Sequence, residues 1–160
     1  MSLESSSASS TSSSRSGIAG KLLSVLVWLE NLRMDAVLIL MRIVIGAVFF
    51  MSAQTKVDGF ALKESTFFLF EHEYALPLVS PVLAAYLATF AEHFFPLMLW
   101  LGLGSRFAAL GLAVMTLTIQ LFVYPDAWVT HGLWMSSLLV LVLQGPGRLS
   151  LDHLIRARQG

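Results

Sequence analysis

VLILMRIVIGAVFFMSAQ, residues 37–54, decides how this chain folds. It is an almost unbroken apolar run with a single charge, Arg42. Crossing the hydrocarbon core of a bilayer takes roughly 20 such residues as a helix. The run therefore predicts a transmembrane span over about 36–55, entered past Arg33 and Asp35.

Three further spans follow by the same test. The second covers about 78–101, with Pro77 and Pro81 at its entry. Gly102 and Gly104 predict a tight turn, and Arg106 opens the third span, about 106–124. The fourth, about 128–144, is short and stops at Gly145-Pro146-Gly147. Ser150 is placed to N-cap a last short helix with Asp152 in its first turn. Leu151, Leu154 and Ile155 of that helix would face lipid, and Arg156 and Arg158 the headgroups. The expected fold class is all-α, an integral membrane four-helix bundle with short interfacial helices at the N- and C-terminal ends.

Composition agrees. The 160 residues are 56% hydrophobic and 12% charged, against about 45–50% and roughly 25% in soluble domains. Lipid must cover part of so apolar a chain. Net charge is zero, so nothing suggests a nucleic-acid partner, which needs a basic face. The absence of cysteine removes disulfides, thiolate nucleophiles and zinc–thiolate sites.

Ahead of the spans, residues 1–17 are Ser-rich and predict a disordered tail. IAGKLLSVLVWLENL (18–32) carries Lys21 and Glu30, with Arg33 just beyond. It predicts an interfacial helix over 18–33, with an N-terminal extension of the first span as the alternative. The four-span domain is then 34–160. Between spans one and two, a polar loop holds FFLFEHEYALP (67–77), a candidate re-entrant or interfacial piece.

Charge sets orientation. Arg15, Lys21, Arg33, Arg106, Arg148, Arg156 and Arg158 fall on one side. Asp58, Glu64, Glu71, Glu73 and Asp126 dominate the other, offset by Lys56 and Lys63. The positive-inside rule then expects both termini in the cytoplasm.

A charge at mid-membrane costs at least ~2.5–3.5 kcal/mol, so each embedded one needs a reason. Arg42 lies ~10 Å inside span one and Glu92 ~13 Å from the Gly102 end of span two, at 1.5 Å per residue. Their similar depth makes an Arg42–Glu92 ion pair geometrically reasonable, as a helix clamp or as part of a proton or quinone site. His93 points roughly 100° away from Glu92, toward a neighbouring span or a groove. Span three carries a small and polar stripe, Arg106, Ala109, Ala113, Thr116, Gln120 and Tyr124, of the kind that faces protein. Gln54, Lys56, Gln120, Tyr124, Asp126, His131 and Trp134 are candidates for an outward-facing polar pocket, or for an interfacial belt. His93 and His131 lie ~20 Å apart in depth, too far for bis-His haem ligation within one chain. No metal-ligand spacing is apparent.

Three stretches carry a family resemblance: MRIVIGAVFFMSAQTKVDGF (41–60), AEHFFPLMLWLGLGSRFAALGL (91–112) and GPGRLSLDHL (145–154). The last contains Gly145, Pro146, Gly147, Arg148, Ser150 and Asp152. Together they resemble the DoxX family of small bacterial four-helix inner-membrane proteins. YPDAWVTHGLW (124–134) is similar to a proteobacterial subset, while Ser52-Ala53 stands where many members have His-Gly.

The resemblance implies a multi-pass protein of the bacterial inner membrane, associated with redox or stress systems. Some members are subunits of a thiosulfate:quinone oxidoreductase. The leading expectation is a membrane subunit or anchor of such an assembly, with a protein partner, quinone as the one cofactor to consider and homo-oligomerisation open. A dimeric proton-coupled exporter using Glu92, and a structural membrane protein without its own activity, are the alternatives.

Overall fold

The computed structural model describes residues 10–77 and 79–158. It is an all-α bundle. Helix α1 (Ser10–Lys56) leads into a two-stranded hairpin, β1 (Val57–Asp58) and β2 (Ala61–Leu62), paired antiparallel. Next come α2 (Glu64–Leu69) and a π-helical turn, Phe70–Tyr74. Then follow α3 (Pro81–Leu101), α4 (Ser105–Phe122), a 3-10 turn at Pro125–Ala127, α5 (Trp128–Gln144) and α6 (Leu151–Ala157). Four of these helices are long and apolar enough to cross a membrane: Leu23–Lys56 of α1, α3, α4 and the Pro125–Gln144 segment.

The N-terminal region differs from expectation. Residues 18–33 continue without a break into the first span, and residues 10–17 of the expected tail are also helical. Residues 1–9 of that tail lie outside the described residues. From Ile18 to Lys56 the sequence has no proline, and its leucines, alanines and methionines all favour helix. Nothing local therefore ends the helix at Arg33. The stretch predicted as a polar loop is likewise structured: the hairpin packs beside the end of α1, and α2 and the π turn fold back onto α3.

Ends are set by local chemistry. Ser80 accepts the Leu83 amide and Pro81 occupies the first turn of α3, where its missing N–H costs nothing. Gly102 ends α3 in the left-handed conformation (φ 68°). A Cβ there would lie 2.5 Å from Ser150 Cβ, so only glycine fits. Ser150 caps α6 through the His153 amide, the cap its sequence position predicted.

Helix α1 packs on α3, α4 on α5, and α3 on α4. Gly46 lets α1 and α3 close up: a Cβ there would meet Trp100 Nε1 at 2.5 Å. The core is Leu38, Ile45, Phe49, Leu99, Leu112, Leu138 and Leu141, with Ala108, Ala109 and Ala113 as close-approach positions. Thr116 is buried with them. The middle of the stripe predicted on span three is thus interior, while Arg106 and Tyr124 at its two ends are exposed. Large apolar side chains cover the outside, Phe90, Phe107, Leu121, Leu133 and Leu143 all above 60% exposed. Water-soluble monomers rarely leave apolar patches of more than a few hundred Å² exposed; a bilayer solvates this surface instead.

Candidate functional site

Arg42 and Glu92 do not meet. Arg42 donates from Nε to Leu99 O (2.7 Å), from Nη2 to Trp100 O (3.0 Å) and from Nη1 to Pro146 O (2.8 Å) and Leu149 O (2.9 Å). The expected ion pair is therefore corrected, first by register: Glu92 meets Ser52, ten residues or ~15 Å beyond Arg42 along α1, while Arg42 is level with Leu99 and Trp100. Side chains lean toward the N-terminus of their own helix. In antiparallel α1 and α3 that sends Arg42 toward the C-terminal end of α3 and Glu92 the opposite way. Arg42 instead fills orphan carbonyls at the end of α3, where a cation also suits the helix dipole.

The same end is stitched by the glycine-rich segment. Asp152 accepts the amides of Gly104 (2.8 Å) and Ser105 (3.1 Å), capping α4. Asp35 Oδ1 accepts the Arg148 amide at 2.8 Å. Asp152 N donates to Gly102 O. Gly145, Pro146, Gly147, Arg148, Ser150 and Asp152 thus form a knot that joins α1, α3, α4 and α6.

Glu92 pairs with Lys56. Lys56 Nζ lies 2.7 Å from Glu92 Oε2, with both side chains 5% exposed. It is the one ion pair among the described residues. Ser52 Oγ accepts from Lys56 Nζ (2.9 Å) and donates to Glu92 Oε1 (3.4 Å). Thr66 Oγ1 donates to Lys56 O and ties the returning loop to the same place. Beside this group His93 spans Thr89 O (Nδ1, 2.8 Å) and Gln54 Nε2 (Nε2, 3.0 Å). With the Gln54 amide as donor, Nε2 accepts and Nδ1 donates.

The expected outer pocket separates into four places. Gln54 and Lys56 belong to the Glu92–His93 region. His131 Nδ1 donates to Gln120 Oε1 (2.7 Å), Gln120 Nε2 donates to Pro125 O (2.6 Å), and Trp134 packs on the His131 ring. Tyr124 donates to Glu73 Oε1 and packs edge-on against Tyr74. Asp126 is exposed in the 3-10 turn. The seven residues share one end of the bundle but not one cavity.

What the sequence did not reveal is a cleft of about 360 Å³ between α3 and α4. Ala88, Ala91 and Phe95 form one wall, Gly111, Met115 and Ile119 the other, and Phe70 and Tyr74 the roof. Leu87 and Val114, both more than half exposed, stand at its rim. It therefore opens sideways, onto the lipid-facing surface. The lining is almost wholly apolar; Glu92, Tyr74 and Thr118 supply its polar groups. Burial pushes the Tyr74 phenol above its ordinary value, and Tyr124, Glu92 and Glu73 act the same way. The hydrogen bond to Glu73, then burial, raises Tyr124. Small residues at Ala84, Ala88 and Ala91 of α3, facing Gly111 of α4, were the available signal. Membrane helices use the same pattern for close packing, so spacing alone could not mark a cavity.

The DoxX family model matches residues 37–125, more than half of the chain. No curated protein and no solved structure matches it.

Proposed function

The chain belongs to the DoxX family, and we propose that it is a membrane subunit of a redox or stress-response assembly, one that receives a lipid-soluble quinone in the α3–α4 cleft. The observation that carries this reading is the cleft itself: apolar, open toward lipid and bordered by one buried carboxylate and one phenol. Ligand sites of this kind run to about 300–1,000 Å³ with few polar groups. The cleft falls in that range.

The residues suit the group. A quinone ring needs apolar walls, which Ala88, Ala91, Phe95 and Met115 provide, and hydrogen-bond donors for its carbonyl oxygens. Tyr74 is the donor best placed on the lining. A phenol keeps its proton at neutral pH, so its O–H can donate to a carbonyl oxygen. When bound, a quinone supplies two-electron, two-proton chemistry. The row Glu73–Tyr124–Tyr74 runs from an exposed carboxylate to the roof of the cleft, a path on which this chain could hold protons. The chain has no cysteine, and a partner subunit is the expected source of electrons.

A photoreactive azido-quinone, added to the full chain in lipid nanodiscs and mapped by mass spectrometry, tests the reading. Labelling should fall on residues 84–95 and 111–119 and drop at least severalfold in Ala88→Trp, which fills the cleft. Labelling elsewhere, or unchanged labelling in folded Ala88→Trp, would overturn it.

A further inference from the structure

A second concavity lies at the opposite end of the bundle, and it is cationic. Its volume is about 220 Å³, and its lining includes Arg106, Arg148, Arg156 and His153. We propose that it binds a phosphate-bearing anion, with the headgroup of an anionic phospholipid as the source that its position favours.

Its charge is only partly offset. Asp152 is the one acidic side chain in the lining, and both of its oxygens are engaged by the first amides of α4. None of the three arginines makes a salt bridge among the described residues. Arg106 spends one N–H on Leu143 O (3.2 Å), leaving other donors of its planar fork free. Guanidinium groups match phosphate geometry through paired N–H donors. Like charges gathered in one concavity repel each other, and an anion is the simplest group to relieve that. The Arg42 clamp and the Asp152 and Asp35 bonds fix the 145–152 segment in place. The site is therefore held by the fold, although its arginine heads face solvent.

Position favours a lipid. Immediately across the same segment lies an apolar hollow of about 430 Å³, which shares Arg148 and Ser150 and is walled by Trp100, Leu101, Leu149 and Leu154. Leu149 and Leu154 are each more than half exposed. Charged and apolar concavities on two sides of one short segment place it at headgroup depth. Basic pockets at membrane helix ends hold anionic headgroups by this arrangement.

Native mass spectrometry of the full chain in mild detergent tests the proposal, with dioleoyl phosphatidylglycerol and dioleoyl phosphatidylcholine as probes. Each arginine near an anionic headgroup contributes roughly fivefold to binding. Wild type should retain phosphatidylglycerol over phosphatidylcholine by about tenfold or more, and Arg148→Gln with Arg156→Gln should lose most of that preference. Arg158→Gln, which removes one charge outside the lining, is the control and should keep the preference. Equal retention of the two lipids by wild type, or a preference that survives in the double variant, overturns the site. Displacement of phosphatidylglycerol by millimolar inorganic phosphate, in wild type only, would uphold the phosphate site and overturn its assignment to lipid. The cleft and this pocket share no residue, so either can fail without the other.

Discussion

Replacing Lys56 by methionine should be among the most damaging single changes in this chain. The pair it breaks is short, 2.7 Å, and 95% removed from solvent on both sides. Methionine keeps the length and apolar stem of lysine and removes only the charge and donors. Glu92 is then left with one weak partner, the Ser52 hydroxyl at 3.4 Å. Breaking a buried ion pair from one side typically costs about 3–5 kcal/mol. An independent bound agrees. A carboxyl stranded in low dielectric takes up a proton instead of keeping its charge. Protonating an ordinary glutamate at pH 7 costs roughly 4 kcal/mol. The expected loss is therefore about 3–4 kcal/mol at pH 7.

Unfolding by SDS in mixed micelles, followed by circular dichroism, measures the loss. Lys56→Met combined with Glu92→Leu should recover to within about 1 kcal/mol of wild type, since apolar replacement of a buried pair is often neutral. A Lys56→Met loss under about 1 kcal/mol, or a double variant no better than the single one, would refute the reasoning. If the stable double variant also keeps its cellular function, the pair serves only to clamp α1 to α3. If it folds and fails, the pair serves the cleft.

Arg42→Leu strands the carbonyls of Leu99, Trp100, Pro146 and Leu149; at about 1 kcal/mol for each buried group that water does not reach, a loss of 2–4 kcal/mol is expected, with Arg42→Lys recovering only part because its single ammonium cannot span the four. The same SDS titration checks it, and a loss below about 1 kcal/mol would show that water replaces the clamp. Asp152→Asn should cost about 1 kcal/mol through the weakened cap of α4, and hydrogen exchange at the Gly104 and Ser105 amides should quicken. The raised phenols predict alkaline sensitivity: folding holds the Tyr74 and Tyr124 protons more tightly than the unfolded chain does. Their contribution is complete below the ordinary tyrosine value of 10 and lost above it. Phenolate absorbance should therefore show late-titrating tyrosines, and Tyr124→Phe should remove one of them; simultaneous ionisation of all three tyrosines near pH 10 would contradict the Glu73 contact.

The spans were legible because hydropathy and turn chemistry act locally. Trp128–Gln144 begins and ends where the fourth apolar run does, and Gly102, Gly145 and Ser150 mark their turns and cap by residue type alone. The polar partners were not legible, since depth along a helix says how far two residues are from a membrane face and not which way their side chains lean. Counted from their span ends Arg42 and Glu92 share a depth, but α1 runs on past the end of α3, and Glu92 is level with Ser52, ten residues or ~15 Å beyond Arg42. Lys56 sits more than a turn beyond Glu92's level, yet reaches it because a lysine stem folds back along its own helix. Its bond to Ser52 O, one turn earlier, records that fold-back. The helical continuity of residues 18–56 was masked by charges at Lys21, Glu30 and Arg33. They read as an edge and carry no structural stop.

The two ends of the bundle are held by different physics, and that difference bears on where this protein can move. At the Arg-rich end, charge-assisted hydrogen bonds join residues more than a hundred positions apart: Arg42 with Pro146 and Leu149, and Asp35 with Arg148. Each must break for the end to open, and each lies against backbone that cannot repack. At the other end α2 and the π turn rest on α3 through Phe70, Phe67 and Tyr74, apolar contacts beside the one buried Thr66 bond to Lys56 O, and they slide without leaving a buried charge unpaired. Tyr124–Glu73 is the polar tie across the roof of the cleft, and it is exposed. A lipid-soluble molecule entering between α3 and α4 would thus meet its least resistance at the roof, leaving the Lys56–Glu92 pair behind it undisturbed. The phosphate-seeking pocket has the opposite requirement, a fixed scaffold that keeps several arginines together, and it lies at the end that cannot yield.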